Sequence, residues 1–432
     1  MNNLIWFRND LRVQDNSSIA NAIKSGTKVI GFYCFESLFF ETDEFEFKRT
    51  EKYRAKFLIE TVAQLRQELE KLHIPLFIYH GNSADYLPNL IQEHDIDSIF
   101  LQKEWTRDEQ VIVENVKNKL DRTINFHEVY DQFLFHPDDI PYNSFDTIPD
   151  VFTNFRKKCE VNVKVRPVVQ VFGKLPSKNL IETNCKVPTL EDLGFKDFLR
   201  NANTAFPFKG GELEATKRIQ HYFWETKKLK FYKKTRNGLI GIDYSSKLSA
   251  WLANGSISPR TIYWEILKFE KEIIKNQDTY WLIFELIWRD YFKYISLKYN
   301  DVIFKLGGIL NRTYDPVTNE KAKHTWINGL TKEPFVNANM KELLETGWMS
   351  NRGRQNVASF WSKELEQDWR MGAAYFESML IDYDVHSNWG NWMYASGVGN
   401  DPRNRKFNIK LQAERYDATG KYQRLWLQEK LF

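Results

Sequence analysis

Over the first 130 residues, short apolar runs alternate with amphipathic stretches, and this alternation restricts the fold more than any other property of the chain. Leu4–Phe7, Lys28–Phe35, Pro75–Tyr79, Ser98–Gln102 and Ile124–Val129 read as strands. Helical patterns lie between them. In Lys52–Leu72 the residues Leu58, Val62, Leu65, Leu69 and Leu72 recur at spacings of 4, 3, 4 and 3, which places them on one helix face. Strands separated by helices pair in parallel through right-handed crossovers. The pattern therefore predicts a doubly wound α/β domain with a five-stranded parallel sheet over residues 1–130. After the first strand stands Arg8-Asn9-Asp10-Leu11-Arg12 rather than G-x-G-x-x-G, so a dinucleotide site of the Rossmann type is not expected there.

From 131 to 209 the periodicity breaks down under prolines at 137, 141, 149, 167, 176, 188 and 207. This stretch reads as a connector draped over the surface, with a short strand expected in the valine-rich Val161–Phe172. From 210 to 432 helical signals dominate. Gly211-Glu212-Leu213 opens one helix, and Ser258-Pro259 caps and starts another. Thr279–Tyr299 and Trp369–Leu380 carry aromatics at helical spacing, and loops are expected at Asn237–Tyr244, Gly307–Asn319 and Gly397–Asn404.

Of 14 tryptophans, 12 follow residue 200, so the helical half is either an aromatic-packed core or the seat of a π-stacking, electron-transferring site. A net charge of +4 is compatible with nucleic acid without demanding it. Cys34, Cys159 and Cys185 are scattered and fit a reducing cytoplasm better than a disulfide framework. No signal peptide and no membrane-spanning apolar run is apparent, so the expected location is cytoplasmic, with no membrane contact.

Four clusters can carry chemistry. Tyr232-x3-Arg236 followed by Ser245-Ser246-Lys247-Leu248-Ser249 offers hydroxyls and cations at a loop-to-helix junction, suited to a phosphate or simply to a helix cap. Glu285 and Arg289, four apart around Trp288, share a helix face and either pair or meet a ligand. Gly347 to Asn356 is dense in planar hydrogen-bonding groups, as a ligand-binding segment or an exposed loop. Asp382-x-Asp384 with His386, Asn388 and Trp392 lacks a third regularly spaced hard ligand, so no metal is expected. No nucleophilic triad or zinc spacing appears.

In this order the clusters resemble the photolyase–cryptochrome superfamily. The resemblance starts at Trp6-Phe7-Arg8-Asn9-Asp10-Leu11-Arg12 with Asp15-Asn16 and runs to Trp426-Leu427, through six ordered motifs. Asn351-Arg352-Gly353-Arg354-Gln355-Asn356-Val357-Ala358-Ser359, Gly390-Asn391-Trp392-Met393-Tyr394 and Gly397-Val398-Gly399-Asn400-Asp401-Pro402-Arg403 look like the DASH cryptochrome branch. Bacterial repair photolyases usually carry Met at the position of Gln355 and Trp at that of Tyr394.

The resemblance implies an all-α domain that binds FAD. Tyr232, Ser245, Ser246, Lys247, Leu248 and Ser249 would hold the diphosphate, and Asp382 and Asp384 the flavin and ribose side. Arg354 would pair with Asp382, Arg289 and Asn351 would line the pocket, and Asn388 would face the flavin N5. The implied chemistry is electron transfer from a reduced, light-excited flavin to a cyclobutane pyrimidine dimer. Glu285 would hydrogen-bond the dimer, Trp288 and Tyr394 would stack on it, and Asn351 with Arg352 would hold flanking backbone. Trp392 and Trp369 match the first two members of the family's electron-donating tryptophan chain. The third is missing, since Asn311–Lys323 holds only Tyr314.

A folate antenna, methenyltetrahydrofolate, is the expected second chromophore, with Glu104 in the segment resembling the antenna region. The expected partner is dimer-bearing DNA, mainly single-stranded, with RNA as a second candidate, and the chain is expected to be a monomer. Two functions share this pocket: light-dependent repair, and a blue-light receptor that binds nucleic acid and signals through flavin redox state. The absence of a long extension after the last motif favours repair as the expectation.

Overall fold

Adjacent residues of a strand point to opposite faces, so a strand buried on both sides needs two sets of helices. Here Leu4 and Trp6 join one apolar cluster while Ile5 and Phe7 join another. The structure, a computed structural model, describes every residue except Arg122, Phe172, Tyr314, Thr318, Pro402, Asn404 and 429–432. Strands β1 (Asn2–Trp6), β2 (Lys28–Glu36), β3 (Leu76–Gly81), β4 (Ser98–Gln102) and β5 (Asn125–Val129) form one parallel sheet in the order β3-β2-β1-β4-β5. Ile5, Val29, Phe35 and Phe100 pack on α1 (Ser17–Ser25) and α2 (Lys52–Lys71), through Ile19, Val62, Leu65 and Leu69. Leu4, Ile30, Phe32 and Leu101 pack on α3 (Ser83–Glu93) and α4 (Arg107–Asn118), through Leu87, Ile91, Ile112 and Val116. The sheet is thus doubly wound, as its alternation predicts. Its order reverses between β1 and β4, where a crevice opens beyond the carboxyl ends of the strands.

The connector departs from its sequence reading in two ways. It contains a helix, α5 (Phe152–Asn162), and the expected valine strand is absent: Val161 and Asn162 close α5, while 163–171 have no regular structure. Phe172, the end of that expected strand, lies outside the described residues. Nor is the segment merely draped on the surface. Phe133, Leu134, Phe135, Phe152, Phe155 and Cys159 are buried in the core of the helical half. The backbone amides of Leu134 and Phe135 are satisfied there by the Asp290 carboxylate, at 2.9 and 2.8 Å, which removes the usual penalty for burying a loop. Phe152, Phe155 and Cys159 follow helical spacing, but over a stretch too short to stand out among the prolines.

The helical half comprises α6 (Glu212–Ile219), α7 (Tyr232–Thr235), α8 (Ser249–Ala253), α9 (Pro259–Glu272), α10 (Gln277–Tyr299), α11 (Glu320–Ile327), α12 (Pro334–Thr346), α13 (Asn351–Ser359), α14 (Trp369–Met379), α15 (Val385–Ser396), α16 (Ile409–Tyr416) and α17 (Lys421–Leu427). Its start signals are legible in the sequence. The Ser258 hydroxyl accepts from the Thr261 amide at 3.0 Å with Pro259 in the first turn, and Asn276 forms a capping box with Thr279. Among the described residues no helix is long and apolar enough to cross a membrane.

The two halves meet at a buried ionic junction. Arg260 at the start of α9 donates to both oxygens of Asp15, at 2.8 and 2.9 Å, and to Asp131 at 2.9 Å. Asp15 also accepts from the Ser258 hydroxyl and the Val169 amide, and Asp131 from Ser17. Arg12 donates to the carbonyls of Asp15 and Gly255. Gly255 has a left-handed φ of 71°, and a Cβ there would lie 2.0 Å from the Asn9 carbonyl oxygen, so only glycine lets the two halves approach. Removing one partner of such a buried set strands the others without a counter-charge. Arg260→Ala should cost about 3–5 kcal/mol of unfolding free energy, measured by urea denaturation. A loss below about 1 kcal/mol, the level of a surface pair, would contradict the junction's assigned role.

Candidate functional site

Four stretches of the helical half converge on one cleft of about 1060 Å³. The α7-to-α8 segment supplies Tyr232, Arg236, Tyr244, Ser245, Ser246, Lys247, Leu248 and Ser249; α10 supplies Glu285 and Arg289; α13 supplies Asn351 and Arg354; the loop before α15 supplies Asp382 and Asp384.

Lys247 is the least satisfied charge in this cleft. It is 2% exposed, its backbone is left-handed with φ 63°, and Nζ has no hydrogen-bond partner. The ammonium lies over the rings of Tyr244 at 3.2 Å and Trp348 at 4.8 Å. Burial holds its pKa well below that of an ordinary lysine, with Glu342 opposing the shift. The Glu342 carboxyl is itself pushed up to about 7, mainly by burial and against its hydrogen bond from Tyr422. A buried cation with an open donor and three serine hydroxyls beside it is the complement of an anionic group such as a diphosphate.

The other charges of the cleft are partnered. Arg354 Nη2 donates to both oxygens of Asp382, at 2.8 and 3.0 Å, and its Nε to the Met349 carbonyl. Asp384 caps α15 by accepting from the Ser387 amide at 2.8 Å, and Lys293 lies 3.2 Å from its other oxygen. Burial raises the Asp384 pKa, but Lys293, His386 and Arg289 together bring it below the usual carboxylate range. Glu285 does not pair with Arg289. It meets Arg236 at 2.7 Å, while Arg289 donates to the carbonyls of Gln132 and Leu252. Burial raises the Glu285 carboxyl, and Arg236 opposes that.

Asn388 is the one expected cofactor contact that does not line the cleft; its Nδ2 donates to the Ala373 carbonyl at 2.9 Å. Trp392, on the same helix, is buried with Nε1 unpartnered. Its ring packs so closely on α14 that a Cβ at Gly372 would lie 2.3 Å from it. Trp369 is fully buried and donates to the Leu306 carbonyl. Tyr314 lies outside the described residues. Towards the surface, Trp288 has one face covered by Phe152, at 3.6 Å between ring centres, and stands edge-on to Tyr394 at 6.0 Å. Arg352 lies over the Tyr416 ring at 4.6 Å, and Asn351 is exposed at the start of α13.

Sequence reasoning missed Tyr244, Lys293, Glu342 and Phe152. Lys293 carried a signal, since it follows Arg289 by one helical turn; Glu342 and Phe152 carried none, because their partners are distant in sequence.

Comparison with known proteins assigns the class. A family described as DNA photolyase matches residues 3–171, and one described as FAD binding domain of DNA photolyase matches 281–430. Sheet and helical cleft thus belong to a flavoprotein architecture of photolyase type. A relative from Xenopus laevis called Cryptochrome DASH is 45% identical, covering 98% of this chain and 82% of the relative. Another of that name, from Gloeobacter violaceus, is 42% identical over 99% of this chain and 85% of its own length. The crystal structure of a Synechocystis cryptochrome superimposes with a TM-score of 0.94 at 41% identity, covering 99% and 88% of the two chains. The chain belongs to the cryptochrome DASH family.

FAD titrated into flavin-free protein should be bound with uptake of protons, because a diphosphate raises the Lys247 pKa that burial lowers. Calorimetry in two buffers of different ionisation heat measures this. Lys247→Met should remove most of the uptake and weaken binding by about 1.5–3 kcal/mol, roughly tenfold to a hundredfold. Equal heats in the two buffers would contradict the assignment.

Proposed function

We propose that the chain repairs cyclobutane pyrimidine dimers in a blue-light-dependent reaction, preferentially in single-stranded DNA. One observation carries the reading: Glu285, a half-buried carboxyl held 2.7 Å from Arg236, lines the same cleft as the phosphate-complementary Lys247 and serines. One chamber can therefore seat a flavin nucleotide and present a hydrogen-bonding carboxyl group to a base beside it. When bound, FAD supplies the light absorption and the electron that splits the dimer.

The chain's own part is positional. Tyr232 and Ser245 to Ser249 hold the diphosphate, and Asp382, fixed by Arg354, and Asp384, fixed by Lys293, orient the flavin and ribose. Asn388, anchored on Ala373 behind the cleft, would act on the flavin N5 only if its amide turns from that carbonyl. Asn351 and Arg352 hold flanking backbone. Lys228, Lys233, Lys234 and Arg415 border a shallow basin that shares Tyr244 with the cleft, suited to phosphates of the strand. Trp369 and Trp392 supply electrons to the flavin.

The single-strand preference follows from the aromatic wall. With Phe152 stacked on Trp288 and Phe292 and Tyr291 also packed against it, little of that ring beyond the Tyr394 side remains for a base. Stacking is worth about 1–3 kcal/mol per base. A shallow wall therefore offsets little of the few kcal/mol needed to extract a dimer from a duplex.

The 1–130 half reads as the antenna domain, 131–209 as connector and 210–432 as the cofactor domain. The crevice at β1 and β4 would take the folate. Glu104 stands there with Gln102 at 2.8 Å, and the buried Oε1 atoms of Gln102 and Gln132 have no partner. The three cysteines are free, in keeping with a cytoplasmic monomer.

Illumination of the flavin-loaded protein with oligonucleotides carrying one dimer tests the reading. Single-stranded dimers should be repaired at least about tenfold faster than duplex ones, the factor that 1.4 kcal/mol of extraction penalty gives. Glu285→Gln should slow repair by roughly tenfold or more while flavin content holds, and the action spectrum should show a folate band. Bound flavin with neither substrate repaired would leave the receptor reading in its place.

A further inference from the structure

The electron path to Trp392 and Trp369 has no outer tryptophan in sequence, yet the fold provides an exit elsewhere. Among the described residues, the one aromatic ring packed against Trp369 is that of Trp389, edge-on with 5.7 Å between centres. Trp389 Nε1 donates to the Tyr383 hydroxyl at 3.3 Å, and that hydroxyl donates to Glu377 Oε2 at 2.7 Å. The other Glu377 oxygen is held by Arg49, which also pairs with Asp108. Tyr383 is half-buried and, with Glu377, lines the cleft between the two halves of the molecule.

We propose that Trp389 and Tyr383 complete the electron path in place of the missing outer tryptophan, with Glu377 as proton acceptor. The proposal rests on flavin photoreduction through Trp392 and Trp369. Trp392 gives one electron to the light-excited flavin and is refilled by Trp369, which is refilled by Trp389. Tyr383 then gives one electron to the Trp389 radical cation and its phenolic proton to the Glu377 carboxylate. Trp389 ends neutral, Tyr383 ends as a neutral radical and Glu377 as a carboxylic acid. A soluble thiolate entering the cleft returns the electron to Tyr383 and leaves as a thiyl radical, while Glu377 returns the proton.

Two features make this the productive branch. Trp392 packs on Trp326, 6.2 Å between ring centres, and Trp326 on Trp361 at 4.8 Å, but those rings are 0% and 1% exposed. Trp326 Nε1 has no partner and Trp361 Nε1 donates to a backbone carbonyl, so no base there can take a proton. A hole on that side stays a buried cation and returns. On the Tyr383 side a carboxylate is already hydrogen-bonded to the oxidisable group. The Arg54 guanidinium lies over the Tyr383 ring at 4.7 Å, which disfavours a cationic ring but not a neutral radical. In the dark, burial followed by Glu377 keeps the Tyr383 phenol protonated, so its proton leaves only on oxidation.

The test is light-induced electron paramagnetic resonance and transient absorption on the flavin-loaded protein. Wild type should accumulate a tyrosyl radical whose spectrum narrows when the protein is made with ring-deuterated tyrosine, a comparison that needs no variant. Its appearance should slow in heavy water. Tyr383→Phe should replace it by a tryptophanyl signal that decays at least tenfold faster, and Trp389→Phe should abolish it. A spectrum unchanged by tyrosine deuteration, or a tyrosyl radical surviving in Tyr383→Phe, would overturn the proposal. Trp392→Phe separates the two layers of the argument. If it still photoreduces flavin at the wild-type rate, the path through Trp392 and Trp369 fails as well. If it does not while wild type shows no tyrosyl radical, only the Tyr383 exit fails.

Discussion

Burying Arg260 against Asp15 and Asp131 forces the α/β sheet, the connector and the helical half into one arrangement. Asp15 follows β1, Asp131 opens the connector and Arg260 begins α9. None of the three charges can leave without exposing the others to an apolar interior, so the junction acts as a three-way lock. Two surfaces depend on it. One is the crevice beyond β1 and β4, whose far wall is built from Arg289, Lys293 and Tyr383 of the helical half. The other is the orientation of α10, which carries Glu285 and Arg289 into the cofactor cleft and is tied to the connector through Asp290.

Three ion pairs of the cofactor cleft stand beside a lysine that has none among the described residues. Arg354 has Asp382, Lys293 has Asp384 and Arg236 has Glu285, whereas Lys247 Nζ lies over two aromatic rings with no hydrogen-bond partner. Paired charges fix the shape of a cleft, and the unpaired one marks where an anion completes it. The aromatic rings divide by surroundings in a similar way. Trp392 and Trp369 are sealed between α14 and α15, while Trp288 is half-buried under Phe152.

What was legible in the sequence was local. The alternation over the first 130 residues carried the parallel sheet, because strand and helix periods differ within a few residues. Ser258-Pro259 and the apolar aromatics of α10 announced their helices in the same way. The segments that meet in the cleft were found through ordered motifs, and the structure brings them together. Long-range pairing was not legible: Asp15 and Arg260 are 245 residues apart, and nothing near either names the other. The helix α5 was hidden by its shortness among prolines. Nothing in the sequence singles out Trp389, because its contact with Trp369 arises from packing between helices rather than from sequence spacing.

The central claim is that the helical cleft holds FAD as a light-reducible cofactor. A visible absorption spectrum of the purified protein, taken before and after anaerobic illumination with a thiol and followed by denaturation, tests it most directly. The account requires flavin bands that bleach in blue light, and release of FAD in equimolar amount on denaturation. A colourless protein that releases no flavin, or a bound flavin that does not change under illumination, would contradict it.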